Sequence, residues 1–460
     1  MGSRVVLIRP KPHRESIGLH KFMICEPLEL EYLSAYLELQ GHHVEIVDMI
    51  LESGRKLIQL LRERRPDVIG LTGYISHVGV VLDYARRIKE ALPGVVTVVG
   101  GVHAEVNPGD FEDNAIDFVV KANGMKTMAL LLEALGNGRS VGDIRADVEG
   151  IWNGPGKTYV PEKGFAYPFP DREKTARYRK RYNYIFHEKC ATLKSSFGCT
   201  YKCEFCYCVA ITQGRYFARD IAEVVEEVKT IREENIFIVD DNFLVSLERV
   251  QEFCRLLDKE GLQKNFILFG RADFIVEHPD HIALLQRHGL KAIFVGIESF
   301  REAELEQFQK RTTVAMNIRA VEILDELGIE CYSGIIVGTD WERRDFDALI
   351  AFLKRFKRPL LNVQPLTPMP GTPLFERIKG QVTVPREDYH LWDMAHMLID
   401  PTRMSRRAFY LNIIRVYYKA STGFQGHWYV LRRYGFRIFA RTAYGALHLT
   451  WQYLLMALRG

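Results

Sequence analysis

The sequence predicts an α/β protein in three parts. An N-terminal doubly wound, Rossmann-like (flavodoxin-like) domain over residues 1–140 precedes a partial (β/α)6 barrel of TIM type over 185–383. A linker over 141–184 joins them, and a mostly helical, basic extension over 384–460 follows. Three observations carry this reading. Short β-branched runs alternate with helical spacing in two blocks, separated by turn chemistry. The 460 residues exceed what one core usually serves. Charge is also segregated: residues 401–460 hold ten Lys or Arg and no Asp or Glu, whereas the first 400 carry 52 basic and 58 acidic side chains. A content of 47% hydrophobic and 26% charged residues excludes a disordered chain.

In the first block, residues 5–9 form an apolar strand, and 27–40 follow with Leu30, Leu33 and Leu37 at helical spacing before Gly41. Strands are expected at 44–47, 68–71, 95–99 and 118–120, with helices at 57–64 and 80–92. Fully buried β-branched strands joined by helices make a parallel sheet, and such sheets bind ligands beyond their carboxyl ends. Those ends carry Asp48, Thr72, Gly73, Ser76, Gly100, Gly101 and His103. Each alone is ordinary turn chemistry; the set reads as a binding rim. Residues 152–156 and 167–171 are turn-rich, and 171–181 read as a charged, solvated spacer. The second block has expected strands at 193–196, 236–239, 266–269, 292–296, 332–337 and 361–364. Six strand–helix units suggest an incomplete barrel.

Eight cysteines in this length are no disulfide framework, but four of them fall between 199 and 208. Cys199, Cys203 and Cys206 stand at x3 then x2 spacing after the first strand of the second block, with Gly198 to turn the chain. Such thiolates can hold a soft metal centre. Zinc would require a fourth ligand, for which Cys208 stays open. Three thiols on one short loop suit an iron–sulfur cubane with one iron exposed. Cys25, Cys190, Cys254 and Cys331 lack such neighbours and read as small buried hydrophobes.

Cys199-x3-Cys203-x2-Cys206 with Phe205 resembles the signature of radical S-adenosylmethionine (SAM) enzymes. The resemblance implies a 4Fe-4S cluster held by the three cysteines, with SAM chelating the fourth iron. One electron then cleaves SAM to methionine and a 5′-deoxyadenosyl radical. SAM-binding residues implied on this ground are Asp240 and Asp241 at one strand end, Arg271, and Glu298. Gly334 to Gly338 resembles the glycine-rich segment near the adenine, although residues 339–342 depart from the usual pattern. As single residues, Asp240 or Asp241 would serve equally as a helix cap, and Arg271 as an ion-pair partner. Glu298, a carboxylate just beyond an apolar strand, must find a partner there.

A doubly wound domain ahead of such a barrel resembles the cobalamin-binding radical SAM subfamily, which includes C-methyltransferases and the anaerobic magnesium-protoporphyrin monomethyl ester cyclase. The resemblance covers roughly residues 1–380. It implies cobalamin cradled by the loops with Thr72, Ser76, Gly100, Gly101 and His103. Asp-x-His-x-x-Gly is missing, so cobalamin would bind base-off without a protein histidine on cobalt. The run Lys121-Ala122-Asn123-Gly124-Met125 departs from the subfamily's acidic run, which implies a reshaped loop.

In residues 401–460, ten basic side chains are mixed with thirteen aromatics. Leu447, Trp451, Leu454, Leu455 and Leu458 share a helical stripe, which suits either an interfacial helix on anionic lipid or a cap packed on the barrel. Nucleic-acid binding ranks below both, since no RNA-binding module is present. The opening apolar run is too short for a signal peptide and Val6 breaks the myristoylation pattern, so a cytoplasmic location, peripheral to the inner membrane face, is expected. The expected activity is methyl transfer to an unactivated carbon of a hydrophobic small molecule, with an electron donor such as flavodoxin or ferredoxin. The alternatives are oxidative cyclisation or hydroxylation without methyl transfer, and a zinc-bound scaffold.

Overall fold

A computed structural model describes residues 2–52, 56–155, 164–357, 360–421 and 424–459. Gly156, the end of the expected turn at 152–156, lies outside the described residues. The first sheet contains β1 (Arg4–Arg9), β2 (His43–Asp48), β3 (Val68–Thr72), β4 (Val96–Gly100) and β5 (Phe118–Val119) in the order β2-β1-β3-β4-β5. All its pairings are parallel. The helices are α1 (Leu28–Glu38), α2 (Leu57–Arg64), α3 (Val78–Ala91), α4 (Val102–Val106), α5 (Gly124–Gly136) and α6 (Val141–Asp147). They cover both faces. Ile8, Val47, Leu71 and Val99 pack on one side, and Val5, Leu7, Val44 and Val98 on the other. Alternate side chains therefore feed two cores, the mark of a doubly wound sheet.

The expected linker is not a free spacer. Ile144, Val148 and Ile151 are buried in the core of the first sheet, so its first part belongs structurally to that domain. The charged stretch 171–181, expected to be solvated, is clamped between the domains instead. Arg179 pairs with Glu26 and Glu233, and Arg172 with Glu227. Glu26 and Glu227 are buried, so these arginines provide the partners that buried carboxylates require. Glu26 also accepts the Thr192 hydroxyl at 3.0 Å. The complementary charges lie up to about 150 residues away in sequence, which local reading cannot see.

The second sheet has six parallel strands: β6 (Cys190–Leu193), β7 (Asn235–Ile238), β8 (Asn265–Gly270), β9 (Leu290–Glu298), β10 (Glu330–Val337) and β11 (Leu360–Pro365). They lie in chain order, as a partial (β/α)6 barrel requires. Ile236, Ile238, Leu268, Ile293 and Val295 face the outer helices. The alternating Phe237, Phe269, Phe294 and Tyr332 join Tyr184 and Phe186 in an aromatic lining. The strand expected at 193–196 ends earlier, at Leu193, and Ser196–Phe197 pairs antiparallel with Phe217–Ala218 instead.

Two helices complete the chain: α8 (Arg406–Ser421) and α9 (Phe424–Arg459), the latter bent at Gly435 with φ 79°. Val430, Tyr434 and Ile438 of α9 close the aromatic lining, while Tyr453 and Ala457 enter the main core. Tyr434, Tyr429 (3.1 Å) and Tyr332 (2.8 Å) donate to Glu330. Burial alone would raise the Glu330 carboxyl, but His187, Tyr434 and Tyr332 hold it below the ordinary value. No helix among the described residues is long and apolar enough to cross a membrane.

Candidate active site

The cysteine loop runs between β6 and the short helix α7 (Tyr207–Thr212). Gly198 has φ 87°, and a Cβ there would lie 1.9 Å from Arg215 O, so only glycine allows the turn. The thiols of Cys199, Cys203 and Cys206 are close enough to act on one another electrostatically. Burial raises the Cys199 and Cys203 thiols, whereas a hydrogen bond with Cys208 lowers that of Cys206. Among the described residues, one group of three metal-ligating side chains brings its donor atoms within 4.8 Å of one another, and it lies elsewhere. The Cys208 thiol is turned toward Cys206 and Thr212, which leaves three thiols of one short loop as the donor set. The donor set suits a 4Fe-4S cluster better than one zinc ion.

Asp240, expected to contact SAM, has its carboxylate already engaged. It is fully buried, and its carboxylate accepts the amides and hydroxyls of Ser195 and Ser196 at 2.5–3.0 Å. These four bonds use its acceptor sites, so Asp240 fixes the chain leading into the cysteine loop. Asp241 accepts from the Gly198 amide at 2.8 Å and remains exposed in the mouth. Asn242 is buried with both amide atoms unpaired among the described residues, a polar group still in need of a partner.

Arg271 is also drawn to the cysteine loop. It pairs with Asp273 at 2.9 Å, donates to Lys310 O at 2.6 Å, lies 3.4 Å over the Tyr201 ring and approaches Cys203 Sγ at 3.8 Å. A buried guanidinium beside thiolates offsets their charge. Glu298 finds its partner in Lys310 Nζ at 2.9 Å, and its backbone is left-handed, with φ 59°. A Cβ on Gly296 would meet Glu298 Oε1 at 2.1 Å, so glycine makes room for that carboxylate. Gly334 gives the same clearance to the Phe294 ring. Gly338 leaves space for the buried Trp341 indole, a packing reason for its lack of a side chain.

The opposite rim belongs to the first sheet. Gly101 has φ 95°, and a Cβ there would lie 2.3 Å from Thr72 Oγ1, so the bare Gly101 backbone packs directly on the Thr72 side chain. Large planar ligands need such side-chain-free edges. His103, expected to contact the corrin, is instead 1% exposed. Its Nε2 bonds Asp110 at 2.7 Å and its Nδ1 faces Tyr207 Oη at 3.4 Å. Arg386 closes the chain on Asp110. Because Tyr207 follows the third cysteine of the motif, this chain ties the cysteine loop to the first domain. Ser76 lines a separate cleft with His13 and His390.

Two wall residues escaped the sequence reading. Tyr74 keeps 62% of its surface open, yet its phenol is pushed up to about 12 by burial. Glu29 is likewise exposed, with its carboxyl raised by burial. Side chains that are accessible but desolvated line an enclosed hollow rather than the outer surface. Arg9, paired with the fully buried Asp48, acts on both. The signals in the sequence were a carboxylate among leucines and a tyrosine inside the Thr72–Ser76 rim.

A doubly wound sheet facing a six-stranded barrel, with a thiol trio on the loop after the first barrel strand, defines a two-cofactor radical enzyme. Residues 19–132 match the B12 binding domain, and residues 193–353 match the radical SAM superfamily. The chain belongs to the cobalamin-binding radical SAM enzymes, whose cofactors are cobalamin, a 4Fe-4S cluster and SAM. It is 28% identical over 409 residues to the hopanoid C-3 methylase of Methylococcus capsulatus, covering 87% of this chain and 78% of that one. It is 25% identical to the anaerobic magnesium-protoporphyrin IX monomethyl ester cyclase of Cereibacter sphaeroides, covering 88% and 68%. Its fold is shared with OxsB, a cobalamin-dependent SAM radical enzyme solved with aqua-cobalamin, at TM-score 0.72 and 17% identity over 99% and 72% of the chains. It is also shared with the methyltransferase TsrM of Kitasatospora setae, at TM-score 0.66 and 18% identity over 92% and 90%.

Proposed function

We propose that this enzyme transfers a methyl group from SAM to an unactivated carbon of a hydrophobic, ring-bearing lipid taken from an anionic membrane surface. The observation that carries the substrate class is the outer face of α9. Phe436, Tyr444, Leu447, Trp451 and Leu458 are 56–73% exposed and fall within about 80° of arc at ~100° per residue. Of the stripe expected from sequence, Leu454 and Leu455 are half-buried, so α9 both caps the barrel and presents an apolar edge. Arg432, Arg433 and Arg437 are exposed nearby, and no carboxylate follows Asp400 to repel anionic lipid.

When bound, the cluster and SAM supply a radical that removes hydrogen, and cobalamin supplies the methyl. Cys199, Cys203 and Cys206 hold the cluster, with Arg271 and Lys310 offsetting thiolate charge. Asp241 and Asn242 are the groups left to orient SAM, with Glu298 held beside them by Lys310. The Thr72 and Gly100–Gly101 loops support the corrin, and the aromatic lining of Phe269 and Phe294 receives the apolar substrate while excluding water. An electron donor such as flavodoxin or ferredoxin completes the cycle. The non-methylating cyclase reading is tested by the same assay. Anaerobically reconstituted enzyme is given methyl-deuterated SAM and bacterial lipid extract, and a lipid carrying the CD3 group is expected. Formation of 5′-deoxyadenosine with an unlabelled, modified product would remove methyl transfer. Sedimentation with anionic vesicles should be lost in Leu447→Glu/Trp451→Glu; equal sedimentation would remove the membrane source.

A further inference from the structure

Away from the barrel mouth, His13 and Glu15 on the loop after β1 meet His390 on the segment that follows the barrel. One donor atom from each lies within 4.8 Å of the other two. The lone pair of His13 sits on Nδ1, where it accepts the Glu15 amide at only 3.3 Å, a contact long enough for an ion to displace. His390 Nε2 is 3.5 Å from Glu15 Oε2, and the two imidazole centroids are 4.5 Å apart.

The two segments that carry the three side chains are tied together next to them. Ser16 Oγ donates to His390 O at 2.8 Å, and the Ile17 amide to Asp393 Oδ2 at 2.6 Å. Gln452 of α9 donates to Ser16 O at 3.2 Å. The donors therefore do not depend on a mobile loop to meet. Asp83 and Glu387 line the same cleft of about 360 Å³, with Ser76 on its wall. Arg459, 3.6 Å from Glu15 Oε1, is the opposing cation. Two imidazoles and one carboxylate suit a borderline divalent ion, whereas magnesium and calcium favour oxygen alone.

We propose that His13, Glu15 and His390 bind one divalent transition-metal ion of the zinc class, with its remaining positions open to the cleft. The ion would staple the first domain to the post-barrel segment beside the end of α9, next to the Thr72–Ser76 loop. The site is independent of the cysteine loop and of the methyl-transfer reading.

The test uses holoenzyme carrying cluster and cobalamin, stripped with chelator and dialysed against micromolar zinc. Mass spectrometry should find one zinc per chain besides iron and cobalt, and none in His13→Ala/His390→Ala, whose iron and cobalamin contents report folding. Zinc-edge absorption fine structure on the wild type should show nitrogen and oxygen near ~2.0 Å without sulfur near ~2.3 Å. Equal zinc in the double variant, a sulfur shell, or no retained zinc would each overturn the proposal. The absorption spectrum decides even if the variant fails to fold.

Discussion

The first sheet meets its ligand side at Thr72, Gly100 and Gly101, with a buried ion pair, Arg9–Asp48, at the neighbouring strand ends, whereas the barrel ends in Asp240, Arg271 and Glu298. The first offers backbone and small side chains, with Gly101 pressed against Thr72. Its one buried imidazole, His103, is fastened by Asp110 and Tyr207. The second buries full charges and satisfies each one: Asp240 by two serines, Arg271 by Asp273, Glu298 by Lys310. A corrin is large and needs clearance. Thiolates and a sulfonium are charged, and their site must balance charge in a low dielectric. The difference shows that charge in this molecule marks the scaffold of the cluster as often as a contact to a ligand.

The most severe break of that contrast is Cys203→Ser. Cluster iron should be lost and 5′-deoxyadenosine formation should fall more than about 100-fold, while cobalamin stays bound; a thiolate leaving one iron of the core has no replacement on this loop. Gly101→Val should do the reverse. A left-handed non-glycine and a Cβ against Thr72 cost about 1–3 kcal/mol, so cobalamin retention should drop roughly 10- to 100-fold with cluster iron unchanged. Loss of both cofactors in either variant would mean that the rims are not separable.

Acid sharpens the same contrast. Burial and then Arg9 lower His77, beside the first rim, to about 4, against about 6.5 in the unfolded chain. Protonation therefore favours the unfolded state, and the full stability present above pH 6.5 should erode as pH falls toward 4. The loss is on the order of 2–3 kcal/mol, read as a lower denaturation midpoint that His77→Gln flattens. Tyr434→Phe removes one donor from buried Glu330 and should cost about 1–3 kcal/mol by thermal melting, without altering either cofactor content. Tyr207→Phe is the mildest. It cuts the link from the cysteine loop to His103, and should lower methyl transfer up to about 10-fold while iron and cobalamin contents hold. Unchanged turnover there would show that the chain through His103 does not align the two rims.

Much of the fold was legible because its signals are local. Short β-branched runs and helical spacing located the strands of the two parallel sheets, although the run expected at 193–196 meets its strand only at Leu193, and the thiol spacing stood out from composition. The errors share a cause. The stretch 171–181 looked solvated because its carboxylate partners, Glu26, Glu227 and Glu233, lie elsewhere in the chain. Asp240 looked like a ligand because Ser195 and Ser196 stand 44–45 residues before it. Glu29 and Tyr74 went unnoticed because enclosure is a property of two domains facing each other.

By itself, the sequence determined the two α/β layers, the thiol trio and the basic, acid-free tail, since periodicity, spacing and composition act over a few neighbouring residues. Only the tertiary structure decided which polar groups remain free for chemistry. Pairing across tens to hundreds of residues consumes donors and acceptors such as Asp240 and His103, and it leaves Asp241 in the mouth and one face of α9 outside.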